Sequence, residues 1–412
     1  MKIVMLCENY FNNSQYQENM IAEHYIKHNH HVTIITSTIN NIFNSQEGYD
    51  NNINESEQII NNVKIIRLQF SINIYNRIRR FNNKKIKAIF DFEKPDMIYS
   101  HETIFMLSDC VKYKKNHPNC RFIMDCHSDY SNSARNWLSL QILNKTIRRF
   151  LIVKALKYID TIYPITPSTA IFTNEVYGIP YKKMRLLPLG VDFDLSQKII
   201  TEQKGKLVRN ELKIPYNSLV IFTGGKLDPV KQTDVLIKAF LKLNNPELHL
   251  IIVGKVQEQC KEYKTIIEEL TKSNKNIHHI GWIESRKVYD YMAASDIAVF
   301  PASQSVLWQQ AIGMGLPLII GKVCKYDGKI FTINVDYLNV NNNIIIINTI
   351  EEKEMINELI KSMQKIIDDP TRLQQMKEGA IKTAEDFLCY DKIVKETINE
   401  NNAIISQMSH WQ

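Results

Sequence analysis

The chain has 412 residues, more than one hydrophobic core usually serves, and 44% of them are apolar, so two globular domains are expected. Its 51 Lys and Arg stand against 44 Asp and Glu, a net charge of +7; this is too weak for a dedicated nucleic-acid binder and suits anionic substrates or an anionic membrane surface. Seven cysteines, odd in number and without a CxxC pair, fit reduced thiols better than a disulfide framework or a zinc site, and no apolar run approaches the ~20 residues of a membrane span.

Residues 3–7 enter a strand at once and are followed by polar Glu8 and Asn9, a start too short for a signal peptide. A helix is expected over 19–28. Strand-like runs follow at 32–36, 63–68, 97–100, 122–124 and 161–165, with helical stretches between most of them. Such alternation predicts a parallel sheet covered on both faces. Pro188-Leu189-Gly190-Val191-Asp192 and a charged, irregular stretch to about Tyr216 mark a boundary. The theme then repeats with strands at 219–223, 248–253, 277–280, 297–300 and 318–320, and helices at 233–242, 258–273 and 287–294. The isoleucine run in 339–348 reads as one buried strand, and the pattern beyond Glu351 is helical. The expected domains are 1–195, 196–385 and a C-terminal helix, 386–412, packing back on the first domain. Two such α/β domains place the C-terminal ends of both sheets at a shared cleft, where open sheets bind ligands.

Two segments carry the chemistry. Gly224-Gly225-Lys226-Leu227-Asp228-Pro229-Val230-Lys231 leaves the strand ending at Phe222 and precedes a helix. Ser305 to Pro317 (SVLWQQAIGMGLP) leaves the strand ending at Phe300 and itself reads as a helix start capped by Ser305. Lys226 and Lys231 neutralise a diphosphate, and the amides of Val306 and Leu307 with the helix dipole cradle its oxygens. The alternative for the lysines is a solvated basic loop. Trp308 and Met314 read as core residues. His28, His30 and His31 sit at a helix-to-strand turn without nearby carboxylates, and Asp192 and Asp194 lie in the linker, so no metal is assigned.

These residues resemble the retaining glycosyltransferases of family four, which have the GT-B fold of two facing Rossmann-like domains. Thr223 to Lys231 (TGGKLDPVK) is similar to the family's G-R-L-x-x-x-K-G segment, with Lys226 in the arginine place. Residues 310–317 (QAIGMGLP) resemble its E-A-M-A-x-G-x-P helix. Residues 250–254 (LIIVG), 291–301 (YMAASDIAVFP), 29–33 (NHHVT) and 188–192 (PLGVD) resemble further family segments, so the likeness runs through nearly the whole chain. Of the family's two donor-loop glutamates, the second position here is Gln310 and the first falls on Ala302. The glycine-rich loop after the first strand is replaced by Tyr10 to Glu18 (YFNNSQYQE).

The resemblance implies a metal-independent, cofactor-free transfer from a nucleotide-diphosphate sugar, a UDP-sugar foremost, to a glycan or lipid-linked acceptor in bacterial O-antigen or capsule assembly. The enzyme would be cytoplasmic, with peripheral contact on the inner face of the plasma membrane. Gly225, Lys226, Lys231, Ser305, Val306 and Leu307 would bind the donor diphosphate, and Gln310 would meet the ribose through its amide. His127, just past a strand, would shape and polarise the donor-sugar end, with Asp129 orienting its ring or stabilising positive charge on the sugar. Tyr16, Gln17, Asn132 and Arg135 fall on the acceptor side. Two basic-apolar stretches, 74–87 and 145–157, are either amphipathic helices resting on anionic lipid or solvated helix faces. The rival readings are a sugar-nucleotide epimerase or hydrolase on the same fold, and a non-catalytic partner- or glycan-binding protein.

Overall fold

The computed structural model of the chain describes residues 1–12, 14–39, 54–134, 136–302, 304–326 and 328–399. Their contacts form two units: Met1–Pro188 together with the chain from Ile393 onward, and Leu189–Lys392.

The first unit is built on strands β1 (Lys2–Cys7), β2 (His31–Ser37), β3 (Ser56–Ile60), β4 (Val63–Leu68), β5 (Phe70–Ile74), β6 (Ile78–Phe81), β7 (Met97–His101), β8 (Arg121–Cys126) and β9 (Thr161–Pro164). Seven of them form a sheet in the order β3-β4-β2-β1-β7-β8-β9, parallel except for edge strand β3. Strands β1, β2, β7 and β8 are buried along nearly their whole length, as a sheet with helices on both faces requires. Helix α1 (Gln17–Lys27) carries the chain from β1 to β2. Helices α2 (Asn83–Glu93), α3 (Leu107–Asn116) and α4 (Arg149–Ala155) carry it the other way across the sheet, so right-handed crossovers put them on the opposite face. Helix α5 (Pro167–Glu175) is started by Pro167 in its first turn and by Thr166, whose side chain accepts from the Thr169 amide.

The helix Tyr390–Ile398, the last among the described residues, belongs to this unit from Ile393 on and joins it through polar contacts. Tyr25 Oη lies 2.5 Å from Thr397 Oγ1, Arg185 Nη1 is 3.1 Å from Glu396 Oε1, and Arg121 Nη1 donates to the Ile398 carbonyl at 2.6 Å.

The stretch 74–87 is not one helix. β5 and β6 form a separate antiparallel hairpin that turns at Tyr75 and Asn76, both at positive φ (48° and 54°). Helix α2 starts only at Asn83, where the Asn82 side chain accepts from the Lys84 and Lys85 amides. The apolar residues Phe70, Ile72 and Ile74 alternate with period two, a strand signal that the run of cations obscures. By contrast, 145–157 is helical as far as Ala155 and then turns: a π-helical segment, Ser139–Arg148, runs directly into α4.

The second unit begins with α6 (Phe193–Thr201) and α7 (Lys204–Glu211). Strands β10 (Leu219–Gly224), β11 (Leu248–Val253), β12 (Ile277–Gly281), β13 (Ile297–Phe300), β14 (Leu318–Gly321) and, after the hairpin of β15 (Val323–Tyr326) and β16 (Lys329–Thr332), β17 (Ile344–Ile347) follow. Six of these form an all-parallel sheet, β12-β11-β10-β13-β14-β17. Helices α8 (Thr233–Leu243), α9 (Lys261–Lys272), α10 (Val288–Ala293), α11 (Leu307–Gly313), α12 (Glu352–Ile367) and α13 (Pro370–Thr383) complete the unit. In α8, Val235, Leu236, Ala239 and Phe240 are buried on one face. Asp296 clamps three elements: Oδ2 takes Arg209 Nη2 at 2.8 Å and the Val220 amide at 3.0 Å, and Oδ1 takes Lys377 Nζ at 2.7 Å.

Candidate functional site

Each sheet reverses its strand order at one place, between β1 and β7 in the first unit and between β10 and β13 in the second. The C-terminal ends of strands at such a switch point leave a crevice because their crossovers diverge to opposite faces. Both clusters of candidate residues lie there.

In the second unit, Gly225 follows β10 with φ +112° and Gly254 follows β11 with φ +139°. A Cβ on Gly254 would stand 1.9 Å from the Gly225 carbonyl oxygen, so the two turns touch backbone to backbone. A Cβ on Gly225 would lie 3.7 Å from Ser305 Oγ, which places the Gly225 backbone against the turn after β13. Lys231, in a 3-10 turn at Pro229–Lys231, reaches the same turn: its Nζ donates to the Gln304 carbonyl at 2.7 Å. Burial pushes the Lys231 ammonium below its ordinary pKa; Asp228 opposes this and Lys226 adds to it. An anion beside Lys231 supplies a counter-charge where the ammonium otherwise has a neutral carbonyl, a gain that is large because the site is poorly solvated.

Gly225, Lys231, Ser305 and Leu307 are thus brought together. Helix α11 starts at Leu307, one residue later than a Ser305 cap implies, and the Leu307 amide donates to Ser305 Oγ at 3.3 Å; Val306 is exposed. Lys226 is half-buried beside the Gly225 turn. Gln310 Oε1 is buried without a partner, an acceptor left open for a donor such as a hydroxyl. Ala302 is buried and offers a methyl group where a carboxylate stands in the family pattern. Trp308 and Met314 are core residues, and Trp308 meets Phe300 edge-on with ring centroids 6.5 Å apart.

In the first unit a cavity of ≈ 420 Å³ is lined by Glu8, Tyr16, Glu18, His101, Glu102 and His127, among others. Two of these, His101 and His127, share Asp125, a fully buried carboxylate inside β8. Asp125 Oδ2 takes the Tyr99 hydroxyl at 2.8 Å and His101 Nδ1 at 2.6 Å, and lies 3.2 Å from His127 Nε2; Oδ1 takes the Glu102 amide at 2.9 Å. His101 Nε2 lies 3.5 Å from Glu18 Oε2. Burial alone would lower the His101 pKa, but Asp125, Glu18 and Glu102 outweigh it and carry it to about 9. His101 is therefore an imidazolium at neutral pH. Burial likewise opposes ionisation of Asp125, and His101 and His127 overcome it, holding the carboxyl below its ordinary value. The Glu102 carboxylate accepts from the amides of His127 (3.2 Å) and Ser128 (3.1 Å) and from the Ser128 hydroxyl, which fixes the loop that carries His127.

His101, Asp125 and His127 are of metal-ligand type, with ligand atoms within 4.8 Å of one another. Two ligand atoms ~2 Å from a shared zinc stand about 3 Å apart or more; the 2.6 Å between His101 and Asp125 is instead the length of a charge-assisted hydrogen bond.

The carboxylate facing the His127 ring is Asp125. Asp129 has a different job: its Oδ1 accepts from the Ser131 amide and hydroxyl and from the Asn132 amide, closing the turn after His127. Asn132 is tied into the same turn, donating to the His127 carbonyl at 2.8 Å. Tyr16 lines the cavity, and Gln17 is buried with both polar side-chain atoms unpartnered. Arg135 lies outside the described residues. The sequence reading missed Glu18, His101, Glu102 and Asp125. The signal was present: His101-Glu102 follows an apolar strand just as His127 does, and Asp125 interrupts an apolar run with a charge.

The two halves of the chain match two family descriptions, "Glycosyltransferase Family 4" over residues 19–195 and "Glycosyl transferases group 1" over residues 206–383. No curated protein sequence matches. Among solved structures, the fold is similar to that of a glycosyltransferase from Rickettsia africae (14% identity, 98% of each chain covered, TM-score 0.67). It is also similar to Anabaena HepE in complex with UDP (14% identity, 97% of this chain and 98% of that one, TM-score 0.66). A third similar structure is WaaG, a glycosyltransferase involved in lipopolysaccharide biosynthesis (16% identity, 96% and 99%, TM-score 0.57). With both halves so matched on a pair of parallel α/β units, the chain belongs to the group 1 and family 4 glycosyltransferases of the GT-B fold.

Proposed function

We propose that the protein transfers a sugar from a nucleotide-diphosphate sugar, a UDP-sugar foremost, to a glycan or lipid-linked glycan with retention at the anomeric carbon. The observation that carries this is the cluster of Gly225, Lys231 and Ser305 at the switch point of the second sheet, with Gln310 Oε1 open nearby. Lys231, Lys226 and the turn from Ser305 hold the diphosphate and stabilise charge as it leaves. The sugar C1–O bond to the diphosphate breaks, and an acceptor oxygen bonds to C1 from the same face. The acceptor proton passes to a departing phosphate oxygen. No metal or other cofactor is required by this scheme. The cavity in the first unit, with His127 on its edge, handles the sugars, and its hydrogen-bonding walls suit hydroxyl-rich ligands.

That HepE binds UDP and UDP-glucose supports the choice of donor, and the WaaG likeness supports a place in cell-surface polysaccharide assembly, O-antigen or capsule, at the cytoplasmic face of the membrane. Among the described residues no helix is long and apolar enough to cross a membrane. The test is a thermal-shift panel of nucleoside diphosphates and their sugars without added metal, since a ligand bound to the native state raises its melting temperature. A shift with one diphosphate, enlarged by one of its sugars, followed by transfer to an acceptor sustains the proposal. Donor turnover without acceptor points to an epimerase or hydrolase, and no shift with any ligand refutes the donor site.

A further inference from the structure

One fully buried charge in the first unit takes no part in the chemistry above. Arg67, next to last in β4, is 2% exposed, and among the described residues it has no carboxylate partner. Its guanidinium donates to neutral oxygens in three places. Nη1 bonds the Ser37 carbonyl at 3.1 Å, and Nη2 bonds the Tyr10 carbonyl at 3.1 Å and Asn12 Oδ1 at 3.0 Å. Burial holds its pKa below the ordinary value, and the Tyr10 phenol opposes this. An apolar side chain of similar length would fill the same space without the cost of desolvating a charge. It could not make several directed bonds from one planar group, and two of these three go to the loop between β1 and α1.

The same loop lines the cavity, through Glu8, Asn9, Phe11 and Tyr16, with Glu18 following at the start of α1. The Phe11 and Tyr16 rings meet edge to face with centroids 6.3 Å apart. Asn19, buried in the first turn of α1, donates to the Phe11 carbonyl at 2.9 Å and accepts from Ser14 Oγ at 2.6 Å. Arg67 thus holds the neighbours of Phe11 on either side, Tyr10 and Asn12, while Asn19 holds Phe11 itself. The C–H face of a pyranose packs on aromatic rings, and its hydroxyls donate to carboxylates. This wall offers both. Its carboxylates Glu8, Glu18 and Glu102 outnumber the Arg148 guanidinium and the His101 imidazolium, which favours a neutral sugar over a phosphorylated one.

We infer that Arg67 is a positioning residue: it holds the loop between β1 and α1 so that Phe11 and Tyr16 form one wall of a subsite for a neutral pyranose acceptor. The inference rests on the assignment of this cavity to sugars in the reading above. Hydrogen exchange of the full-length chain, read on peptides covering residues 8–18, tests the positioning. Arg67→Met should exchange about ten- to a hundredfold faster there, as loss of bonds from a charged donor predicts, and no faster at 222–231. Arg67→Lys keeps the charge but not the fork, so it should fall between the two. Function is read by transfer from UDP-glucose to n-octyl glucoside, galactoside and N-acetylglucosaminide. Arg67→Met should raise the KM for the pyranoside about tenfold and leave the KM for UDP-glucose within about twofold. Tyr16→Ala removes a ring that is 38% exposed and keeps the Arg67 bonds, so it should raise the same KM with parent-like exchange.

Unchanged exchange at 8–18 in Arg67→Met overturns the inference. So does faster exchange that extends equally to 222–231, because Arg67 then acts on the fold as a whole. Where Arg67→Met does not fold, Arg67→Lys carries the same comparison. Equal rises in the KM for UDP-glucose and for the pyranoside overturn the acceptor wall, as does a parent that is stabilised by UDP-glucose yet glycosylates none of the three pyranosides. A parent whose melting temperature no nucleotide or nucleotide sugar raises refutes the donor reading instead, and the exchange result decides the role of Arg67 independently of it.

Discussion

Replacing Asp125 by Asn tests directly the buried charge that His101 and His127 share. The substitution keeps the shape but removes the charge that His101 needs. Raising an imidazole from 6.5 to about 9 corresponds to about 3 kcal/mol of folding stability. Because the folded pKa lies above the unfolded one, this stability is present in full below pH 6.5 and disappears as pH rises through 9. Chemical unfolding of parent and variant from pH 6 to pH 10 measures it as the difference between the two curves. The difference should be about 2.5 kcal/mol at pH 7 and shrink steadily toward alkaline pH. Titration of the histidine ring resonances should at the same time show His101 falling back toward its ordinary range. A variant within about 0.5 kcal/mol of the parent at pH 7, or a difference that does not change with pH, would refute the reasoning, for the pair then carries no net charge coupling.

Three further outcomes are expected. Lys231→Ala, read by calorimetry without metal, should weaken binding of a nucleoside diphosphate by about ten- to a hundredfold, as loss of a charge-assisted hydrogen bond predicts; unchanged affinity removes Lys231 from the site. Gly254→Ala places a Cβ 1.9 Å from the Gly225 carbonyl at φ +139°, so it should cost at least about 2 kcal/mol and disorder the Gly225 turn; a parent-like melting curve contradicts that packing. His249, stacked on His278 with Nδ1 3.0 Å from its Nε2, is held neutral by burial and by that neighbour, its pKa lowered to about 4. Its contribution to stability is present above pH 6.5 and lost as pH falls toward 4, so His249→Phe should flatten the acid limb of the stability profile; an unchanged limb assigns acid lability elsewhere.

Much of this protein follows from short-range pattern. The β-branched runs at 63–68, 248–253 and 297–300 are strands over those same residues, because a strand buried on both faces is written as a continuous apolar run. Lys231, Ser305 and Gln310 could be singled out because each stands at a fixed offset from such a run, where a chain leaving a parallel sheet exposes polar groups. The hairpin at 70–81 was hard to read because β5 faces solvent, so burial does not mark it, and β6 places the cations Arg79 and Arg80 inside a four-residue strand.

What the sequence showed by itself is the strand–helix alternation behind the two largely parallel sheets, and the glycine and polar residues that leave β10 and β13. Only the tertiary structure decided which carboxylate serves His127. Asp125 and Asp129 are equally close to it in sequence, yet strand pairing buries Asp125 between His101 and His127, while a local turn consumes Asp129. Glu18 and His101 are 83 positions apart and meet only because β7 lies beside β1 in the sheet. A hydrogen bond or ion pair between distant segments depends on register and burial, and neither is encoded within any window of the chain short enough to read.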